Sequence, residues 1–149
     1  MNTSRFEVIS QHGHHYLHLS LPKGSPHLED ISCNDEYDFE VPDAAIDINL
    51  DKLILALDIM MHHPDIFRHV GIETSVDSEC YEGKLRQEYL KVYAHSALGN
   101  WHFSFFLEFI NEWSGSVYFM DLTSFFSATL GTFDNITARL KQLIVEEVC

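Results

Sequence analysis

The sequence predicts a single α+β domain, with a mostly antiparallel sheet packed in two layers against two main helices. Three observations predict it. Period-two alternation of apolar and polar residues recurs near the N-terminus and again over residues 85–122. Apolar residues at helical spacing fill one segment in the middle of the chain and one at its end. The length, 149 residues, is that of one domain, 1–149. A chain of this size buries roughly 70% of its unfolded surface, so it needs neither a metal nor a disulfide to fold.

Arg5 to Ser10 reads as a strand, and Gln11, His12 and Gly13 as a turn. From His14 to Leu21 the alternation is clean. His15, Leu17, Leu19 and Leu21 share one face, and His14, Tyr16, His18 and Ser20 the other. These two segments form an N-terminal hairpin, closed by Pro22, Gly24 and Pro26.

Asn49 or Asp51 caps the first helix. Its stripe is Leu53, Leu57 and Met60/Met61, widened by Leu50, Ile54 and Ile59, and Pro64 ends it. Asp65 to Val70 suggests a further helical turn, and Ile72 to Val76 a short strand.

A three-strand meander follows. Leu85 to Ser96 reads as a strand, with a helix over 83–93 as the competing pattern. Leu98, Gly99 and Asn100 supply turn chemistry. Trp101, Phe103, Phe105, Leu107 and Phe109 then alternate with His102, Ser104, Phe106, Glu108 and Ile110. Ser116 to Leu122 is the third strand. Ser124 to Leu130 gives a helical turn or two, stopped by Gly131. The last helix starts at Thr132, with Phe133, Ile136, Leu140 and Leu143/Ile144 as its stripe.

The net charge is −14, from 23 acids against 9 bases. Direct binding to nucleic acid is not expected, because phosphate contacts need Lys and Arg. Docking on anionic membrane surfaces is disfavoured for the same reason. No run of apolar residues is long enough for a transmembrane helix. The three cysteines, Cys33, Cys80 and Cys149, form no metal or redox spacing. An odd count without a signal peptide points to free thiols in a reducing cytoplasm.

The acidity is concentrated. Residues Leu28 to Asp51 hold nine acids and no Lys or Arg. Within them Tyr37 and Phe39 interleave with Asp35, Glu36, Asp38, Glu40 and Asp43. Buried rings anchor protein interfaces, and charge steers the encounter. These seven residues are the expected binding surface for a basic protein partner.

The ten histidines are the other candidates. His14 and His18 share a strand face, but their Cα atoms lie about 13 Å apart, too far for one metal ion without a fold-back. His62 and His63 close the first helix, where a protonated imidazole suits the dipole. His95 and His102 flank a turn and face each other across the hairpin. There is no Gly-x-Ser-x-Gly elbow and no glycine-rich phosphate loop. An open acidic loop does not raise a carboxylate pKa as a catalytic acid requires.

The expectation is therefore a small non-enzymatic binding protein, without catalytic residue or cofactor. It would mask a basic partner such as a toxin or a nucleic-acid enzyme, in the manner of an immunity protein, antitoxin or inhibitor. A metal-binding protein or small hydrolase built on His14, His18, His62 and His63 is the first alternative. A structural or adaptor subunit that oligomerises through the rings of Trp101 to Phe119 is the second.

Overall fold

The computed structural model describes residues 5–21, 32–33, 44–77, 85–111 and 117–148. In chain order its elements are β1 (Arg5–Gln11), β2 (His14–Leu21), β3 (Ser32–Cys33), β4 (Ala44–Asn49), α1 (Leu50–His62), β5 (His69–Asp77), β6 (Leu85–Ala97), β7 (Asn100–Asn111), β8 (Val117–Asp121), α2 (Thr123–Leu130) and α3 (Ile136–Val148). The strands form one sheet in the order β1-β2-β4-β5-β6-β7-β8-β3, and every pairing is antiparallel. The fold is thus the α+β arrangement that the alternation predicts, with hairpin and meander fused into one sheet.

The fusing strand is β4, and it changes the reading of the acidic segment. Ala44 to Asn49 is not part of an acidic surface loop. It is an inner strand paired to β2 on one side and β5 on the other. Ile46 and Ile48 are fully buried, while Asp47 between them faces outward. Six residues with only two large apolar side chains give a weak strand signal, and the surrounding acids obscure it.

Both two-residue hairpin turns rely on left-handed backbone. His12 and Gly13 have φ of 52° and 80°, and Leu98 and Gly99 have 53° and 81°. Two successive positive φ values match the twist of the flanking strands. Leu98 adopts this conformation fully exposed.

Asn49 caps α1, its Oδ1 accepting from the Lys52 backbone N–H at 3.0 Å. Asp51 in the first turn complements the helix dipole. Leu50, Leu53, Ile54, Leu57 and Met60 are buried. Ile59, expected on that stripe, is 41% exposed and lies on the outer side. It is five residues after Ile54, a half-turn off the buried row at 3.6 residues per turn. The helix ends as Pro64 predicts, with the His63 N–H bonded to the Ile59 carbonyl at 3.0 Å.

Beyond Pro64 one hydrogen-bonded turn forms, with the Phe67 N–H on the His63 carbonyl at 2.9 Å, but it stops short of the expected Val70, because β5 begins at His69. Residues 85–93, where helix competed, are strand in register with β5 and β7. Helix α3 starts at Ile136 instead of Thr132. The Asn135 side chain takes the Thr132 N–H at 2.8 Å, so Thr132 to Asn135 form the turn that precedes the helix.

The helices lie on one side of the sheet. Their apolar faces share a single core with Leu17, Leu19, Leu21, Ile46, Ile48, Ile72, Leu90, Val92, Phe103, Phe105, Leu107 and Met120. The centre of that core is ring-rich: Phe105 and Phe126 stack at 4.4 Å between centroids. One polar atom is stranded in it. Thr74 Oγ1 is buried with no hydrogen-bond partner among the described residues.

Candidate functional site

Among the described residues, no element covers the side of the sheet opposite the helices. Strand alternation sends every second side chain there, and among the described residues none on that side is buried. Its members follow from the register. One row across the strands is Glu7, His18, Asp47 and Ser75. Another is Glu73, Tyr89, Glu108 and Phe119. Between β5 and β8 runs a third, Gly71, Lys91, Phe106 and Asp121. His69, Tyr93 and Ser104 form a fourth.

The rings on this face touch one another. Tyr93 stacks on His69 at 4.6 Å and meets Phe106 edge-on at 5.9 Å. Tyr93 and Phe119 are each 40% exposed. Lys91 Nζ stands 5.1 Å over the Tyr89 ring and 4.0 Å from Glu108 Oε2. At the hairpin end, His95 and His102 face each other with centroids 5.7 Å apart, as the turn between them predicts. His95 Nε2 also hydrogen-bonds with Ser104 Oγ at 2.8 Å.

The charge on the face is one-sided. Its carboxylates are Glu7, Asp47, Glu73, Glu108 and Asp121, and its permanent cation among the described side chains is Lys91.

The surface expected from the sequence, Asp35, Glu36, Tyr37, Asp38, Phe39, Glu40 and Asp43, lies outside the described residues. The histidine candidates are all described, and they are scattered. His14 and His18 share the open face, but His18 is engaged by Asp47, Nδ1 to Oδ1 2.6 Å. His62 donates from Nδ1 to the Asp58 carbonyl at 2.7 Å, tying off the end of α1. His63 packs edge-on against Phe67 at 6.4 Å. Among the described residues no three His, Cys, Asp or Glu side chains come together in a way that would hold a metal ion. A groove beside Gly131, walled by Asn135, Arg139 and Gln142, gathers no histidine, cysteine or carboxylate.

Sequence reasoning missed the open face as a unit. Its signal is present in the polar half of each alternating strand, where Tyr89, Tyr93, Phe106 and Phe119 occupy positions that a solvated face would give to Thr, Lys or Ser. Reading those positions together requires the strand order, which alternation does not supply.

Comparison with protein-family models, with curated proteins and with solved structures finds no match to this chain. No helix among the described residues is long and apolar enough to cross a membrane.

Proposed function

We propose that this chain is a non-enzymatic binding protein that covers the basic surface of a protein partner, and that the open sheet face is its docking surface. The observation that carries the proposal is the make-up of that face. Among the described side chains, the rings of Tyr89, Tyr93, Phe106 and Phe119 lie on the same face as the carboxylates of Glu7, Asp47, Glu73, Glu108 and Asp121, with Lys91 beside them. Tyrosine and phenylalanine supply contact area at little entropic cost, and a desolvated ring binds a Lys or Arg head through its π-face. Carboxylates around the rings steer a basic partner and reject an acidic one. The whole-chain charge of −14 extends the same attraction over distance.

The acidic segment keeps its part in this reading as a second candidate contact for the same basic partner, through Asp35, Glu36, Asp38 and Glu40. Proteins that neutralise toxins or inhibit nucleic-acid enzymes in the cytoplasm have this character, and the proposal places the chain in that functional class. Nucleic acid itself is not the ligand, since the face offers carboxylates where phosphate needs cations.

The test is a complex recovered from the native host and measured by surface binding. Association should slow as salt rises. Charge reversal at Glu7 and Glu73 should slow it by about tenfold or more, whereas reversal at the exposed Asp65 and Asp134, away from the face, should act far less. Equal effects from both pairs, or an association rate indifferent to salt, would overturn the proposal.

A further inference from the structure

We propose that Lys91 fills, within the free chain, a subsite for a basic side chain that a lysine or arginine of the partner takes over on docking. This rests on the docking role of the open face and assigns the chemistry of one position on it.

The subsite is built from three strands. Gly71 on β5 is the register partner of Lys91 and has no side chain, so the lysine stem lies flat across it. A Cβ at Gly71 would stand 3.6 Å from both Cδ and Nζ of Lys91, in ordinary contact. Tyr89, two residues back on β6, presents its ring 5.1 Å beneath the ammonium. Glu108 on β7 closes the site, Oε2 to Nζ 4.0 Å. The Lys91 and Glu108 side chains are only 25% and 28% exposed, so most of each is shielded from water.

Ring, carboxylate and reduced solvent are the features that recognise a basic side chain. The chain therefore displays in itself the contact that its partner would make. Among the described side chains of this face Lys91 is also the permanent cation, set beside carboxylates and rings. Holding it on Tyr89 and Glu108 has two effects. It keeps those groups paired while the face is unoccupied. It also means that an incoming cation must displace Lys91, so affinity is set by a difference between two similar contacts. Lys91 can remain on the surface after displacement, because its four-carbon stem reaches water from several rotamers.

The probe is fluorescein-labelled oligolysine, titrated by anisotropy at neutral pH. Lys91→Met should tighten binding by about two- to fivefold, the scale of one cation–π contact at an exposed site. Removing any positive charge tightens binding somewhat, so Lys52→Met on α1 serves as the measure of that general effect and should give less. With Tyr89→Leu and Glu108→Gln already in place, the gain from Lys91→Met should fall to the Lys52→Met level. Thermal melts of each variant establish that the fold is retained.

A second readout follows the displacement itself. In the protein with its lysines 13C-dimethylated, which preserves their charge, the Lys91 methyl signal should be shifted by the Tyr89 ring. Saturation with oligolysine should move it toward the unshifted Lys52 signal. If oligolysine binds the open face, yet Lys91→Met gives no gain beyond Lys52→Met or the Lys91 signal stays in place, the subsite is overturned while the docking role stands. If reversal of Glu7 and Glu73 affects oligolysine binding no more than reversal of Asp65 and Asp134, the docking role fails and the subsite with it.

Discussion

His18 on β2 and Asp47 on β4 are bonded directly, imidazole Nδ1 to carboxylate Oδ1, at 2.6 Å. The two residues are register partners on the open face, so the contact crosses a single strand pair. It joins one of the ten histidines to an acid of the biased segment, two features that look unrelated in the sequence. Their side chains are 25% and 37% exposed, which limits the strength of the pair by solvent screening. Asp47→Asn should cost about 0.5–1 kcal/mol, and Asp47→Asn with His18→Gln should cost little more than either change alone. A double-mutant cycle in urea measures this coupling; full additivity would mean the bond contributes nothing.

The buried hydroxyl of Thr74 gives a prediction of opposite sign. Thr74 lies in register with Ile48, and its Oγ1 has no partner among the described residues. A buried donor left unpaired costs about 1–3 kcal/mol. Thr74→Val removes the polar atom and keeps the branched shape, so it should raise stability by about 1 kcal/mol. The midpoint of chemical denaturation should rise with the slope unchanged.

Position 98 offers a second stabilising change. Leu98 occupies the first left-handed position of its turn, φ 53°, with its side chain wholly in solvent. Asparagine tolerates that conformation far better and precedes glycine in the favoured turn of this type. Leu98→Asn should stabilise by about 0.5–1 kcal/mol, read as a higher Tm. Gly131→Ala should do the reverse. Its φ is 103°, and the added Cβ would collide with the Asn135 side chain that holds the turn before α3.

Burial separates Phe126 from Ile59. Phe126 is fully buried against Phe105, so Phe126→Ala should cost about 3–5 kcal/mol. Ile59, assigned to the buried stripe by spacing, is largely exposed, and Ile59→Gln should change stability by no more than about 0.5 kcal/mol. Equal losses from the two substitutions would contradict this placement of α1.

The contrast between Ile54 and Ile59 shows where sequence reasoning holds and where it stops. Strong local periodicity was enough for β2, β7 and most of α1, because Leu17, Leu19 and Leu21, or Phe103, Phe105 and Leu107, repeat on one face without interruption. Near-continuous apolar helices such as Leu53 to Met61 leave the edge of the stripe undefined, and tertiary packing chooses it. β4 is a failure of a different kind. Its burial comes from neighbours on both sides, β2 and β5, and nothing within Ala44 to Asn49 announces them. The open face was illegible for the same reason: it is assembled from Glu7, Asp47, Tyr89, Phe106 and Phe119, which lie far apart in the chain and meet only through strand order.

That strand order also has a bearing on how the chain folds. Apart from two-residue β3, which pairs with β8, each strand lies beside the one that precedes it among the rest. A chain emerging from the ribosome could add its strands one at a time, each finding its neighbour already in place, and such short-range pairings are fast. The exception is the last step. Phe6 on β1 meets Phe125 on α2 at 6.2 Å, and α3 lies against both β1 and α1. The first strand and the final helix are thus the pieces that must wait for each other. Synthesis halted before Ile136 would leave a finished sheet whose first strand still lacks the cover that α3 provides, a state for chaperones to hold.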